Sequence, residues 1–181
     1  MHITEFNAAD LLTELSESVI PMAVGKGLLI KYNGPETLKI EGDSIKIRRV
    51  AHNLIVNAIR YTEVGEVTIQ WGFEEKPNKN KKSQKGGTWY FTVGDTGSGI
   101  PQEKVTEVTL FNSDEENKPE VVVNNNNNNG NNELIPLVAN SGEGIGLYIV
   151  KRLCELLSAK MEVVSRPGEG TLFKISIPSK Y

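Results

Sequence analysis

The sequence predicts an α/β two-layer sandwich (α+β), with a mixed, largely antiparallel sheet and helices packed on one of its faces. Three stretches alternate apolar with other residues at a period of two: Val67 to Phe73, Trp89 to Val93 and Thr171 to Ile177. Such alternation makes half-buried strands, one face toward a core and the other toward water. Three further stretches carry apolar residues at helical spacing and supply the cover for the buried face. The chain has 181 residues, 38% hydrophobic and 24% charged, the size and composition of one ordinary globular domain spanning 1–181.

In residues 8–24, Leu11, Leu12, Leu15, Val19 and Ile20 give one amphipathic helix that ends at Gly25 and Gly27. Leu28 to Tyr32 and Thr37 to Ile40 are short strand candidates around the turn signal Asn33-Gly34-Pro35. Asp43 and Ser44 then stand as candidate caps of a second helix that runs to Tyr61. At about 100° per residue, Ile47, Ala51, Leu54, Ile55 and Ala58 share one side of it. Lys46, Arg49, Asn53, Asn57 and Arg60 fall in an opposite stripe, which faces either water or a site.

The two middle strands read as a hairpin. Between them, residues 74–87 carry Lys76, Lys79, Lys81, Lys82 and Lys85, a flexible, solvated basic loop. Residues 96–141 lack sustained periodicity and include the asparagine run from Asn124 to Asn129, the mark of a lid or insert. Leu147, Val150, Leu153, Cys154 and Leu157 then form an amphipathic helix entered directly from a glycine loop. Met161 to Ser165 and Thr171 to Ile177 close the fold as a hairpin turning at Pro167-Gly168-Glu169-Gly170.

Several function classes are disfavoured. Net charge is only −3 and the lysines and arginines are scattered, so no nucleic-acid footprint is evident. Cys154 is the single cysteine and no His or Cys cluster has metal-ligand spacing, which suits a reducing compartment. No apolar run approaches the roughly 18 residues that span a bilayer. A cytoplasmic domain without direct membrane insertion is expected.

Three features carry chemistry. Asn53 and Asn57 lie one helical turn apart on the polar stripe, Asp95-Thr96-Gly97-Ser98-Gly99 follows a strand, and Gly142-Glu143-Gly144-Ile145-Gly146 opens a helix. Asp95 continues the inward row of Trp89, Phe91 and Val93, so a carboxylate ends a buried row; an Asp-capped surface turn is the alternative. A buried carboxylate that accepts an exocyclic amine tells adenine from guanine, which offers an oxygen there. Gly97 and Gly99 allow close backbone approach to base and ribose, and Gly142, Gly144 and Gly146 lead into a helix N-terminus suited to phosphate oxygens.

In this order the three features resemble the GHKL superfamily of ATP-binding domains: gyrase, the large heat-shock chaperone, the MutL repair proteins and the histidine kinases. Their details look most like the catalytic domain of a bacterial sensor histidine kinase. The resemblance implies ATP as ligand and Mg²⁺ held by Asn57, with Asn53 near the metal and phosphates. It places Arg60 near the phosphates, and Tyr61, Ile100, Phe111, Ile145 and Leu147 around the nucleotide. It gives residues 96–141 the part of an ATP lid. Thr171, an inward hydroxyl or simply a β-former, matches a position that completes the adenine pocket.

Where ATP-hydrolysing relatives carry glutamate, this chain has Asn53, whose amide takes no proton from water. Transfer to an already nucleophilic imidazole fits better. No phosphoacceptor dimerisation domain is evident, since His2 and His52 lack the acceptor pattern. The resemblance implies a separate dimerisation and histidine-phosphotransfer domain as partner, with a response regulator downstream.

Overall fold

The computed structural model describes residues 2–74, 87–100 and 145–179. In chain order its elements are β1 (Thr4–Asn7), α1 (Ala8–Ser18), α2 (Ile20–Gly25), β2 (Leu29–Asn33), β3 (Lys39–Gly42) and α3 (Ser44–Tyr61). There follow β4 (Glu66–Phe73), β5 (Thr88–Asp95), α4 (Ile145–Leu156), β6 (Lys160–Arg166) and β7 (Gly170–Pro178). The predicted basic loop therefore lies largely outside the described residues, and the predicted lid does so beyond Ile100.

Five strands form the main sheet in the order β2-β4-β5-β7-β6, with β2 parallel to β4 and every other pair antiparallel. Val67, Ile69, Trp71, Trp89, Phe91, Val93, Phe173, Ile175 and Ile177 are buried on one face, as the period of two requires. Helix α3 lies over β4 and β5 on that face and also packs against α1 and α4. Its Ile47, Val50, Ala51, Leu54, Ile55, Ala58 and Ile59 are buried, while Arg49, His52 and Arg60 remain exposed. Leu54 is 1% exposed, and Leu54→Ala would cost about 2–5 kcal/mol in lost transfer energy and cavity.

The predicted helix over residues 8–24 is two helices. Pro21 has no N–H to bond back and its ring crowds the preceding turn, so α1 closes at Ser18 and α2 starts with proline in its first turn. The strand candidates around Asn33-Gly34-Pro35 belong to different sheets. β2 joins the main sheet, and β3 pairs with β1 in a separate two-stranded one. The turn between them folds down on Trp71, whose Nε1 donates to Pro35 O at 3.1 Å, and a Cβ at Gly34 would overlap the indole. Strand β1 was not anticipated from sequence; its four residues are too short for a periodicity to register.

Asp43 caps α3 as expected, accepting from Lys46 N at 3.1 Å. It is buried to 1% exposure, accepts from His2 N at 3.0 Å and pairs with the Lys46 ammonium. Burial alone would raise its pKa, but the Lys46 side chain and the two backbone N–H groups outweigh this and hold it at about 2. A depressed carboxylate stabilises the fold above its ordinary value of 3.8, and that contribution is lost as pH falls toward about 2. Asp43→Ala is expected to lower stability at pH 7 by about 1–2 kcal/mol in denaturant titration. The gap from wild type should shrink between pH 4 and pH 2; a gap independent of pH would show that the charge contributes nothing.

Candidate functional site

Several of the residues singled out from sequence come together at the C-terminal end of α3, where three elements meet. Gly146 in the first turn of α4 abuts Asn57: a Cβ placed there would sit 3.2 Å from Asn57 Nδ2 and 3.4 Å from Oδ1. Glycine is what lets the α4 backbone come this close to the amide. Gly97 abuts the helix end itself, since a Cβ there would stand 2.5 Å from Tyr61 O and 2.9 Å from Asp95 Oδ1. The loop after β5 and the start of α4 thus clasp the same half of α3.

Asp95 is half-buried at the end of the inward row of β5. Its Oδ1 accepts from Gly97 N at 2.9 Å, and in the sheet register it stands opposite Thr171, which is 6% exposed. Burial pushes its carboxyl above the usual range, and the backbone N–H groups of Gly97 and Thr171 pull only partly back. Gly99 adopts φ +70° and packs against the Arg166 and Pro167 backbone, a place no side chain could fill. Ile100 is partly buried against the core.

Ser165 was missed by the sequence reading. Its Oγ accepts from Ile100 N at 2.7 Å, reaches Gly170 O at 3.1 Å and shares a 2.8 Å hydrogen bond with Thr171 Oγ1 in which either hydroxyl can donate. This hydroxyl pins the end of the glycine loop to the β6–β7 hairpin and orients Thr171. Gly168 N completes the tie by donating to Ser98 O at 2.8 Å. The signal was present: a hairpin turning at 167–170 pairs Ser165 with Thr171 on the inward face.

The other predicted residues divide. Asn53 is half-buried on the same face of α3 as Asn57, but its Nδ2 donates to Arg49 O of its own helix at 2.7 Å. Arg60 and Tyr61 are exposed at the helix end. Leu147 is partly buried on the core, and Ile145 opens α4. Phe111, Gly142 and Gly144 lie outside the described residues.

A cavity of about 400 Å³ also touches Asp95 and Thr171, but Glu66, Thr68, Val164, Arg166 and Leu172 form its walls. These are the outward members of their strands, so it opens on the face of the sheet away from the helices and away from Asn57.

The family described as histidine kinase-, DNA gyrase B- and HSP90-like ATPase matches residues 42–181, from the cap of α3 onward. The chain belongs to this family. Sensor protein GacS of Pseudomonas syringae pv. syringae is 28% identical over 176 residues, covering 95% of this chain but 17% of that protein. Adaptive-response sensory kinase SasA of Prochlorococcus marinus is 28% identical over 96% of this chain and 39% of its own length. The catalytic domain of histidine kinase ThkA superposes with a TM-score of 0.68 at 21% identity, covering 99% of both chains. Full-length ShkA, solved in complex with AMPPNP, gives 0.70 at 21% identity over 98% of this chain and 31% of that one. The α+β architecture is therefore that of histidine kinase catalytic domains, and the curated relatives are sensor kinases.

Within this family fold the charge on Asp95 is costly to stability. Because its folded pKa is raised, the native state holds the proton more tightly than the unfolded chain, and stability falls as pH rises through the folded pKa. Asp95→Asn is expected to melt at or above the wild-type temperature at pH 7, with the difference vanishing below pH 3.8, the group's ordinary value. A clear drop in melting temperature at pH 7 would mean that the bonds from Gly97 and Thr171 outweigh the burial of charge.

Proposed function

We propose that this chain is the ATP-binding catalytic domain of a two-component sensor histidine kinase. In this reading it binds Mg·ATP and donates the γ-phosphoryl to a histidine on a separate dimerisation domain. The observation that carries the proposal is the convergence on one end of α3 of an inward carboxylate, Asp95, and a glycine-floored amide, Asn57 against Gly146. Family membership and the sensor kinases among the relatives support it.

Asp95 accepts the exocyclic amine of adenine, and Thr171 with Ser165 behind it completes the pocket. A hydrogen bond to a charged group is worth about 1.5–3 kcal/mol, so selection of ATP over GTP by tenfold to a few hundredfold is expected. Gly97 and Gly99 admit the base and ribose, and the start of α4 with Arg60 faces the phosphates.

Among the described residues no group of three or more His, Cys, Asp or Glu side chains is placed to hold a metal ion. The half-buried Asn57 amide, beside a residue with no side chain, fits Mg²⁺ shared with phosphate oxygens and water, and Asn53 on the same face is a second candidate. The ion held there would supply charge neutralisation to the phosphates. The acceptor imidazole forms a bond to Pγ as the bond to the β-phosphate oxygen breaks and ADP leaves. Asn53 takes no proton from water, so hydrolysis is disfavoured against transfer to histidine.

The chain spans 17% of the GacS relative and 39% of the SasA relative, so the acceptor helix and a response regulator are proposed as partners on other segments or chains.

Calorimetric titration with a non-hydrolysable ATP analogue, with and without Mg²⁺, is expected to give micromolar-range binding that Asp95→Asn abolishes and GTP does not imitate. No binding to the wild-type chain would leave it a docking module without nucleotide. Asn57→Ala should remove the Mg²⁺ dependence while weaker binding persists. The isolated chain should show negligible ATP turnover and no self-labelling from γ-labelled ATP, and hydrolysis should rise in Asn53→Glu. Substantial turnover by wild type would sink the kinase reading in favour of an ATPase.

A further inference from the structure

We infer that Lys26 is a positioning residue for the nucleotide site, a clamp that fixes the last turn of α3 from outside the pocket. The inference rests on the site reading above and assigns a part to a residue whose sequence context, a lysine between two glycines after a short helix, signals nothing.

The last carbonyls of a helix have no intrahelical N–H to accept from and must find partners elsewhere. In α3 the first of them, Ala58 O, is met by Thr62 N at 3.1 Å and Thr62 Oγ1 at 2.7 Å. The Lys26 ammonium takes two others, donating to Ile59 O at 2.8 Å and Arg60 O at 2.9 Å, and gives its third bond to Thr62 O, just past the helix, at 2.9 Å. An ammonium has three protons, and here each has a carbonyl. Its charge also meets the negative end of the helix dipole.

The base from which the side chain reaches is itself rigid. Lys26 ends α2, Gly27 follows at φ +73°, and Gly27 N and Leu28 N return to Val24 O and Ala23 O, each at 2.9 Å. Ala23 and Leu28 on either side are buried, so the turn is anchored in the core. At the same helix end, Gly97 packs against Tyr61 O. The turn that carries Arg60 and Tyr61, one turn beyond Asn57, is therefore held by a lysine and packed by the loop of Asp95.

Misplacement of such a turn by an ångström or less shifts the groups that meet the phosphates without touching them itself. A methionine at position 26 keeps the length of the side chain and removes every donor. Lys26→Met is expected to weaken binding of Mg·AMPPNP by roughly tenfold, the scale on which partners of ligating groups act. Lys26→Arg, which keeps a multidentate cation, should recover most of the loss.

Ile40→Val, a mild core truncation in the two-stranded sheet, serves as the control for stability loss alone and should leave affinity unchanged at a temperature where all variants are folded. A Lys26→Met that binds within about twofold of wild type, or an Ile40→Val that loses as much, overturns the role of the lysine. A wild type that binds no nucleotide overturns the reading of the site, a different result from a wild type that binds and a Lys26→Met that binds equally well.

Discussion

Helix α3 has to be held in one place by side chains that contribute nothing to chemistry. The row from Ile47 through Leu54 to Ile59 presses on β4 and β5, and each fully buried member contributes about 1.5–3 kcal/mol by leaving water. That row fixes the rotation of the helix about its axis. Rotation in turn decides which way Asn53, Asn57 and Arg60 point, because a helix cannot turn its polar stripe without lifting its apolar one. The cap at Asp43 sets where the helix starts, Lys26 and Thr62 set where it stops, and the two glycine contacts set what it faces.

The same sheet positions the second half of the site by register. Asp95, Thr171 and Ser165 lie on three adjacent strands at matched positions of the inward row. A slip of one residue in either pairing would turn a partner to the outer face. The apolar members of that row supply the energy that forbids the slip, so the polar end of the row is specified by Phe91, Phe173 and Ile175 as much as by its own hydrogen bonds. The burial that raises the Asp95 pKa follows from the same placement.

Long periodic elements were legible in the sequence, and so was the meeting of Asn57, Asp95 and Thr171 around one end of α3. Alternation located β4, β5 and β7 within a residue or two, and the stripe on α3 separated buried from polar positions as found. What failed was decided by contacts distant in sequence. Nothing local says that the Asn33-Gly34-Pro35 turn will lie on Trp71 rather than close a hairpin, or that the short β1 will find β3. The break between α1 and α2 is signalled by Pro21, but Val19 and Ile20 continue the apolar spacing across it and mask the signal. Ser165 was hidden in a hairpin whose residues were read one strand at a time, although the pairing rule would have set it beside Thr171.

The order of strands differs from their order in the chain, and β7, the last strand in sequence, lies inside the sheet between β5 and β6. A chain emerging from the ribosome therefore carries β5 with one free edge until residues 170–178 arrive, and the central pair joins segments far apart in sequence. During that interval the apolar row of Trp89, Phe91 and Val93 has strand partners on one side only, the condition in which unpaired edges recruit other chains. Insertion of β7 ends this exposure and in the same step brings Thr171 opposite Asp95. The adenine end of the proposed site and the closed sheet are thus completed together, which couples the assembly of that site to the covering of an unpaired strand edge.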